Sequence, residues 1–154
     1  MTTGLDPGGL AAWRGFLRVH ALLWRELEAN LEASHGISLG AYDVLVLLDE
    51  TPGGRLRMSQ LASAVLMTSG GFTRLADRLV RQRLIVRERC ESDRRGFELA
   101  LTPAGRELLE VARVTHRADI RRLFLDRLAP GEQELLGALW QRLASPVSSP
   151  AGSS

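Results

Sequence analysis

The sequence has little that would support disulfide bonding, membrane insertion or secretion. Its 154 residues include one cysteine, Cys90, so no disulfide can close within the chain. No run of 18 apolar residues occurs, and the first nine residues lack the basic and apolar regions of a signal peptide. These absences predict a cytoplasmic protein with no transmembrane span and no membrane partner.

Motifs that accompany common enzyme chemistries are also missing. The sequence contains no GxGxxG, no phosphate-binding P-loop, no HExxH and no cysteine pair. Its three histidines are not at metal-ligand spacing. We therefore expect neither an enzyme nor a resident cofactor or metal.

Positive charge, by contrast, is concentrated in one segment. Residues 55–95 hold ten arginines and four acidic residues, whereas the rest of the chain holds ten arginines and fourteen acidic residues. Such a concentration suits binding to a polyanion. A solvated basic face would have the same composition, and charge alone leaves both interpretations open.

The pattern of this segment predicts two short helices and a hairpin. Residues 59–82 favour two helices joined by a turn at residues 67–69, and residues 85–90 and 97–101 favour strands on either side of a charged turn. Residues 55–58 alternate polar and apolar and predict a short strand that pairs with this hairpin. Helix, turn, helix and hairpin is the layout of a winged helix-turn-helix, which lies on duplex DNA.

Local signals mark where helices begin and end. Gly36 predicts the end of a first helix, and Ser38 is a candidate N-cap for the second. Ser59 is the candidate cap of the third, and Thr102 followed by Pro103 predicts the start of the fifth. The helices expected outside residues 59–82 cover residues 10–33, 39–50, 103–128 and 130–144.

The fourth helix, expected at residues 70–82, has two unlike faces. Its apolar positions recur at helical spacing and must face inward, whereas the opposite face carries hydroxyl and guanidinium groups suited to DNA. The apolar set is Phe72, Leu75, Ala76 and Leu79, and the polar set is Thr73, Arg74, Asp77, Arg78 and Arg81. At its start, Gly70 and Gly71 either let the backbone approach DNA or only form the turn, and the sequence leaves both open.

The first and fifth helices carry apolar stripes too broad for one partner surface. His20 and His116 lie on these stripes, either as core residues or as proton- or ligand-responsive groups, because histidine titrates near neutral pH. With Trp24 and Tyr42 they are also candidates to line a pocket for an aromatic ligand. The same aromatic side chains are typical of plain packing core, and that alternative stays open.

Short motifs in the wing, the fourth helix and the second helix occur together in one order. Residues 93–96 are DRRG and residues 99–105 are LALTPAG. Residues 73–75 and 77–79 are TRL and DRL, and residues 42–45 are YDVL. In this order and spacing, across nearly the whole chain, they resemble the MarR family of bacterial transcription regulators, with its acidic-x-Arg wing motif and its Leu-Thr-x-x-Gly start of the next helix.

The resemblance implies a mostly α fold with a small β-wing, in which a winged helix-turn-helix core is flanked by N- and C-terminal dimerisation helices. It implies a homodimer on a pseudo-palindromic operator with half-sites about 34 Å apart, repression by default, and in many relatives release by a small aromatic or phenolic ligand. The expected organisation is a disordered segment at residues 1–8, a single domain at 9–144 (winged helix-turn-helix about 38–102, dimerisation helices about 9–35 and 103–144) and a disordered tail at 145–154.

Two parts of the module are expected to reach the bases. Thr73 and Arg74 would contact base edges in the major groove, where arginine on guanine is the commonest specific contact. Arg94 and Arg95 at the hairpin tip would enter the minor groove, with Asp93 orienting one of them. Without the preceding helices, the tip would fit a solvated turn.

The remaining DNA contacts are expected to position the protein rather than to specify sequence. Those at the start of the fourth helix would lie near phosphates or bases, because helix N-termini bind anions. They are Ser69, Gly70 and Gly71, and the phosphate contacts are Arg57, Ser59 and Arg78.

One position departs from the family pattern, and one residue has no assigned role. Arg83 stands where the family usually has glycine in the tight corner after the recognition helix, so we expect a corner of different shape. Cys90 is interpreted as a packing residue of the wing.

The alternative to a DNA-binding regulator is a winged-helix protein-interaction module without specific DNA binding, which would have little reason to keep the arginines of the fourth helix and wing.

Overall fold

The computed structural model of the chain describes residue 4 and residues 6–65, 67–89 and 96–145. The helices are α1 (Pro7–His35), α2 (Leu39–Glu50), α3 (Met58–Ala64), α4 (Ser69–Arg81), α5 (Pro103–Leu123) and α6 (Glu132–Ala144), and the strands are β1 (Arg55–Arg57), β2 (Ile85–Arg89) and β3 (Phe97–Leu101). A short 3-10 turn, Leu125–Arg127, lies between α5 and α6. This mostly helical chain with a small sheet confirms the expected fold class.

The three strands form one antiparallel sheet in the order β1-β3-β2. Leu99 in the central strand lies opposite Leu56 of β1 and Arg87 of β2, and its side chain is fully buried. Alternation along β3 therefore directs one face of the sheet onto the helices. The predicted pairing of the short strand before α3 with the later hairpin is confirmed.

The hydrophobic core joins the winged helix-turn-helix to the C-terminal half of α1 and to α2 and α5. Leu31, Leu45, Phe72, Leu99 and Leu109 come from five different elements, and each is at most 1% exposed. Burying one such side chain stabilises the fold by about 1.5–3 kcal/mol. The orientation of α4 is fixed by this shared core.

Several helix ends confirm the sequence prediction. Gly36 ends α1 in the left-handed conformation, with φ of 66°. The Ser38 hydroxyl accepts a hydrogen bond from the Ala41 N–H at 3.1 Å and caps α2. The Thr102 hydroxyl accepts from the Gly105 N–H at 2.9 Å and caps α5 directly before Pro103.

The start of α1 was predicted too late. The helix begins at Pro7, so residues 7 and 8, predicted to be disordered, are helical. The Asp6 carboxylate accepts a hydrogen bond from the Gly9 N–H at 2.9 Å, and proline at the first helical position already has the required φ. The predicted tail beyond residue 145 lies outside the described residues.

The cap of α3 was predicted wrongly. Arg57, not Ser59, is the N-cap, and the helix begins at Met58. The Gln60 side chain supplies the missing acceptor, because its Oε1 receives the Arg57 N–H at 3.0 Å. Helix α4 begins at Ser69, one residue earlier than predicted. The Thr68 hydroxyl caps it there by accepting a hydrogen bond from the Gly71 N–H at 3.2 Å.

The connection between the last two helices also differs from the prediction. Helix α5 ends at Leu123 instead of near residue 128, and α6 begins at Glu132 instead of at Pro130. Between them the chain tightens into the 3-10 turn, then passes through Gly131 at φ of 85°. A residue in that conformation cannot extend a right-handed helix, so α6 starts only after it.

No single helix among the described residues is long and apolar enough to cross a membrane; α1 and α2 meet the criteria only as a pair bent by 78°.

Candidate nucleic-acid interface

Helix α4 exposes one face because its other face is anchored in the core. Phe72, Ala76 and Leu79 are at most 1% exposed. On the opposite side, Thr73 and Arg74 are exposed to solvent. The structure therefore brings the two predicted base-contacting residues together on the open surface of the helix.

Arg74 is an available cation on this face. Within the described part of the chain, its guanidinium makes no hydrogen bond or ion pair. Arg81, nearly two helical turns later, is exposed in the same way. An arginine without an internal partner keeps all five N–H donors for an external acceptor.

Thr73 has part of its hydrogen-bonding capacity already committed. Its hydroxyl donates to the Ser69 carbonyl oxygen at 2.8 Å. The hydroxyl oxygen can then only accept a further hydrogen bond, and the methyl group remains for apolar contact. In the major groove these properties match an amino group of adenine or cytosine, or the thymine methyl.

The two glycines at the start of α4 are not required by their backbone conformation, because neither has a positive φ. A Cβ on Gly70 would meet no atom of the described residues within 4 Å. One on Gly71 would lie 3.1 Å from the Thr68 hydroxyl, which receives the Gly71 N–H. The turn before α4 therefore does not explain Gly70, which leaves its exposed backbone open to a ligand.

Arg78 is placed differently from Arg74. Its Nη2 atom lies 3.2 Å from Glu32 Oε1, in the last turn of α1, and both side chains are about half exposed. Nearby, Gln82 Nε2 donates to the Gly36 carbonyl oxygen at 3.4 Å. The predicted phosphate-contacting residue thus already has an internal anion, which sequence reasoning missed.

The acidic residues of the module pair with arginines of the sheet. Asp77 of α4 lies 2.7 Å from Arg87 of β2, and Glu88 is paired with Arg55 across the sheet. These pairs remove two acids and two arginines from the charge balance of the surface. The excess positive charge expected from the sequence is therefore carried by fewer side chains.

The remaining predicted contacts fall in three places. Arg57 ends β1 with its side chain half-buried, and Ser59 is exposed in the first turn of α3. Ser69 is exposed as the first residue of α4. The wing-tip residues Asp93, Arg94 and Arg95, together with Cys90, lie outside the described residues.

The corner after α4 keeps a left-handed residue despite the absence of glycine. Arg83 has φ of 60°, and among the described residues it is the one non-glycine with positive φ. The expectation of a differently shaped corner is therefore wrong. The Thr102 hydroxyl donates to the Arg83 carbonyl at 2.7 Å and lies 3.1 Å from the Leu84 carbonyl, so neighbouring contacts hold the strained residue in place.

The same corner explains the glycine of the Leu-Thr-x-x-Gly motif. A Cβ on Gly105 would lie 2.0 Å from the Leu84 carbonyl oxygen. The Thr102 N–H also donates to that oxygen, at 3.1 Å. The first turn of α5 is thus packed directly on the backbone that leads into the wing, and only glycine fits there.

The candidate ligand-binding residues form two separate pairs. The rings of Tyr42 and His116 lie 4.5 Å apart between α2 and α5, and those of His20 and Trp24 lie 6.0 Å apart on exposed α1. No ring contact joins the pairs in the part of the chain that the structure describes. His116 therefore packs on Tyr42 of its own chain, on the stripe of α5 that also holds the buried Leu109, which agrees with the core alternative.

Burial affects the chemistry of the inner pair. It lowers the pKa of His116 below its ordinary value, with an opposing effect from Asp119, and it raises the pKa of the Tyr42 hydroxyl. The Nδ1 atom of His116 is buried and has no hydrogen-bond partner among the described residues. His35, by contrast, lies 2.8 Å from the Thr115 hydroxyl, an α1–α5 contact that the sequence pattern did not indicate.

A metal site is not part of this arrangement. Among the described residues, no group of three or more His, Cys, Asp or Glu side chains could hold a metal ion.

Comparison with known proteins identifies the family. The MarR family profile matches residues 35–96. Two Streptomyces coelicolor structures are similar over most of the chain. AbsC, a MarR family transcriptional regulator, is 36% identical with a TM-score of 0.84, covering 93% of this chain and 96% of that one. Sco3205, a MarR family regulator in complex with DNA, is 31% identical with a TM-score of 0.86, covering 94% and 90%.

A similar protein from another bacterium is named as a transcriptional repressor. The Bacillus subtilis transcriptional repressor YetL is 28% identical over 144 residues, covering 91% of this chain and 85% of that protein. Together with the motif order and the observed fold, these similarities agree with the resemblance seen in the sequence. The chain belongs to the MarR family of transcriptional regulators.

Proposed function

We propose that this MarR-family regulator binds a pseudo-palindromic DNA operator as a homodimer and represses transcription. The observation that carries the proposal is the outward face of α4, where Arg74 is exposed and unpaired among the described residues. The relative Sco3205 was solved with DNA, and YetL is named a repressor, which supports the same role here. Such a role belongs in the bacterial cytoplasm and involves no catalysis.

The residues of α4 would divide the work of recognition. Arg74 would donate to guanine in the major groove, and Thr73 would accept from a neighbouring amino group or contact a thymine methyl. Ser69 and Gly70 would bring backbone N–H groups to a phosphate, which the open space around Gly70 permits, and Gly71, whose N–H donates to Thr68, would lie beside them.

The remaining predicted contacts would surround this centre. Arg57, Ser59 and Arg78 would bind phosphates on either side of the groove. Arg94 and Arg95 would enter the minor groove, with Asp93 orienting one of them.

The homodimer is supported by the apolar side chains that α1, α5 and α6 expose. Trp13 is 54% exposed, Leu17 46%, Val114 71% and Leu143 70%, which is unusual for so many large apolar residues in one region. A second copy would cover them. It would also place two α4 helices on one side of the assembly, as a twofold-symmetric operator requires.

An effector site is supported more narrowly, by the inner pair. In the part of the chain that the structure describes, the buried Nδ1 of His116 has no hydrogen-bond partner, and the Tyr42 ring lies against the imidazole. A phenol or aromatic carboxylate could supply the missing hydrogen bond and stack on Tyr42, with His20 and Trp24 available on α1. Addition of phenol or benzoate to the DNA complex should then release DNA from the unsubstituted protein and less readily from His116→Phe.

The central test is recovery of a DNA site by the purified protein. Sheared genomic DNA is selected on the protein, and the recovered duplex is compared with a scrambled duplex by fluorescence anisotropy at 50–200 mM salt. We expect the recovered duplex to bind at least about 1,000-fold more tightly, with log K falling linearly as log salt rises. Weak binding that does not respond to salt would instead favour a protein-interaction module.

A further inference from the structure

The Glu32 side chain places a carboxylate at an electrostatically unfavourable position on α1. It lies in the last turn of α1, where the negative end of the helix dipole disfavours a carboxylate. Its backbone carbonyl accepts from Gly36 as part of the helix end, which any residue could provide. The side chain contributes to the structure through Arg78, at 3.2 Å.

Arg78 lies on the edge of the α4 surface that faces α1. It follows Arg74 by one helical turn, so both side chains lie on the same side of the helix. Arg74 has no internal anion within the described residues, whereas Arg78 has Glu32. Before DNA binds, Arg74 is therefore unpaired among the described residues, whereas Arg78 is paired with a carboxylate.

We infer that Glu32 competes with DNA phosphate for the Arg78 guanidinium and thereby limits the affinity of α4 for the DNA backbone. The inference rests on the proposed DNA-binding function, in which Arg78 contacts phosphate. Because the two side chains are 46% and 50% exposed, a phosphate can replace the carboxylate without any movement of a helix. Since phosphate contacts carry no sequence information, Glu32 lowers non-specific binding and leaves the base contacts of Arg74 unaffected.

A second contact keeps the helices in place when the carboxylate is removed. Gln82 donates to the Gly36 carbonyl, and α1 and α4 share the hydrophobic core through Leu31 and Leu79. Glu32→Gln therefore removes the charge with little change of shape. A change in DNA affinity then reports the electrostatic competition and not a displaced helix.

The test is a double-mutant cycle measured by anisotropy on a scrambled duplex at constant salt. Glu32→Gln is expected to tighten binding by about two- to fivefold per protomer, the range that an exposed ion pair supports. Arg78→Ala should weaken binding, and Glu32→Gln should then have little further effect in the Arg78→Ala background. Glu26→Gln is the matched control, because it makes the same charge change on α1 beside Arg25.

Four results would overturn the inference. They are no gain from Glu32→Gln, a gain that persists without Arg78, a gain equal to that of Glu26→Gln, and a loss of affinity, which would mean that Glu32 orients Arg78 towards phosphate. A different result, no salt-sensitive binding by the unsubstituted protein, would overturn the proposed function itself. The two failures are therefore distinguishable.

Discussion

The winged helix-turn-helix is buried within one chain to a degree that α6 and most of α1 are not. Phe72, Leu79 and Leu99 in the module are at most 1% exposed, whereas the described residues of α6 include none that is buried. Along α1, burial is confined to its C-terminal part, where Leu31 contacts the core. The core of the module is thus complete in a single copy, whereas α6 and the N-terminal part of α1 leave large apolar side chains exposed.

The largest effect on operator affinity should come from disrupting the proposed dimer interface. Leu17→Asp places a charge in the exposed apolar stripe of α1 and is expected to give a monomer. Because two linked modules gain about 100- to 10,000-fold over one, operator affinity should fall within that range. Sedimentation and anisotropy measure the two quantities. Val86→Asp, at an exposed apolar position of β2, is the control that should stay dimeric.

The next effect concerns the junction between the two regions. Gly105→Ala forces a Cβ to within 2.0 Å of the Leu84 carbonyl, so backbone must move. We expect a loss of about 3 kcal/mol or more in the free energy of unfolding, measured by urea denaturation. Gly137→Ala in α6 meets no atom of the described residues within 4 Å and should instead leave stability unchanged or raise it by up to about 1 kcal/mol.

A smaller effect is expected within the module's DNA surface. Arg74→Ala should weaken binding to the selected operator by about 1–3 kcal/mol and binding to scrambled DNA by less. Arg81→Ala removes an equally exposed arginine from the same helix and should affect both duplexes alike. Equal losses for Arg74→Ala on the two duplexes would contradict a base contact.

The strained corner offers a gain instead of a loss. Arg83→Gly removes the left-handed penalty of a side-chain-bearing residue and adds chain entropy to the unfolded state. The first effect stabilises the fold and the second opposes it. Because the first is the larger, we expect a net stabilisation of up to about 1 kcal/mol. Arg83→Ala keeps the strain and should not stabilise, so a thermal melt that ranks alanine above glycine would refute this account.

The smallest effect is a dependence of stability on pH. Burial lowers the pKa of His116 from its ordinary value of 6.5, so the unfolded state takes up a proton first as pH falls. The contribution of this group is fully present above pH 6.5 and is lost as pH drops towards its folded pKa. His116→Gln should therefore reduce the fall in unfolding free energy between pH 7 and 5, measured by urea denaturation at each pH.

Sequence patterns predicted what depends on near neighbours along the chain. The caps at Ser38 and Thr102 and the inward face of α4 follow from spacings of three and four residues, and the structure confirms them. The ion pair between Glu32 and Arg78 spans 46 positions, so no local pattern could indicate it. Arg83 was misjudged because the contacts that hold it come from Thr102, across the wing.

The packing of Gly105 on Leu84 joins the first turn of α5 directly to the backbone that leads into the wing. Helix α5 has 21 residues and is therefore about 31 Å long. Over that length, a displacement of about 3 Å at the far end of α5 corresponds to a rotation of the helix by about 5°. Under the proposed function, a small adjustment among α1, α5 and α6 would therefore change the angle at which α4 enters a groove.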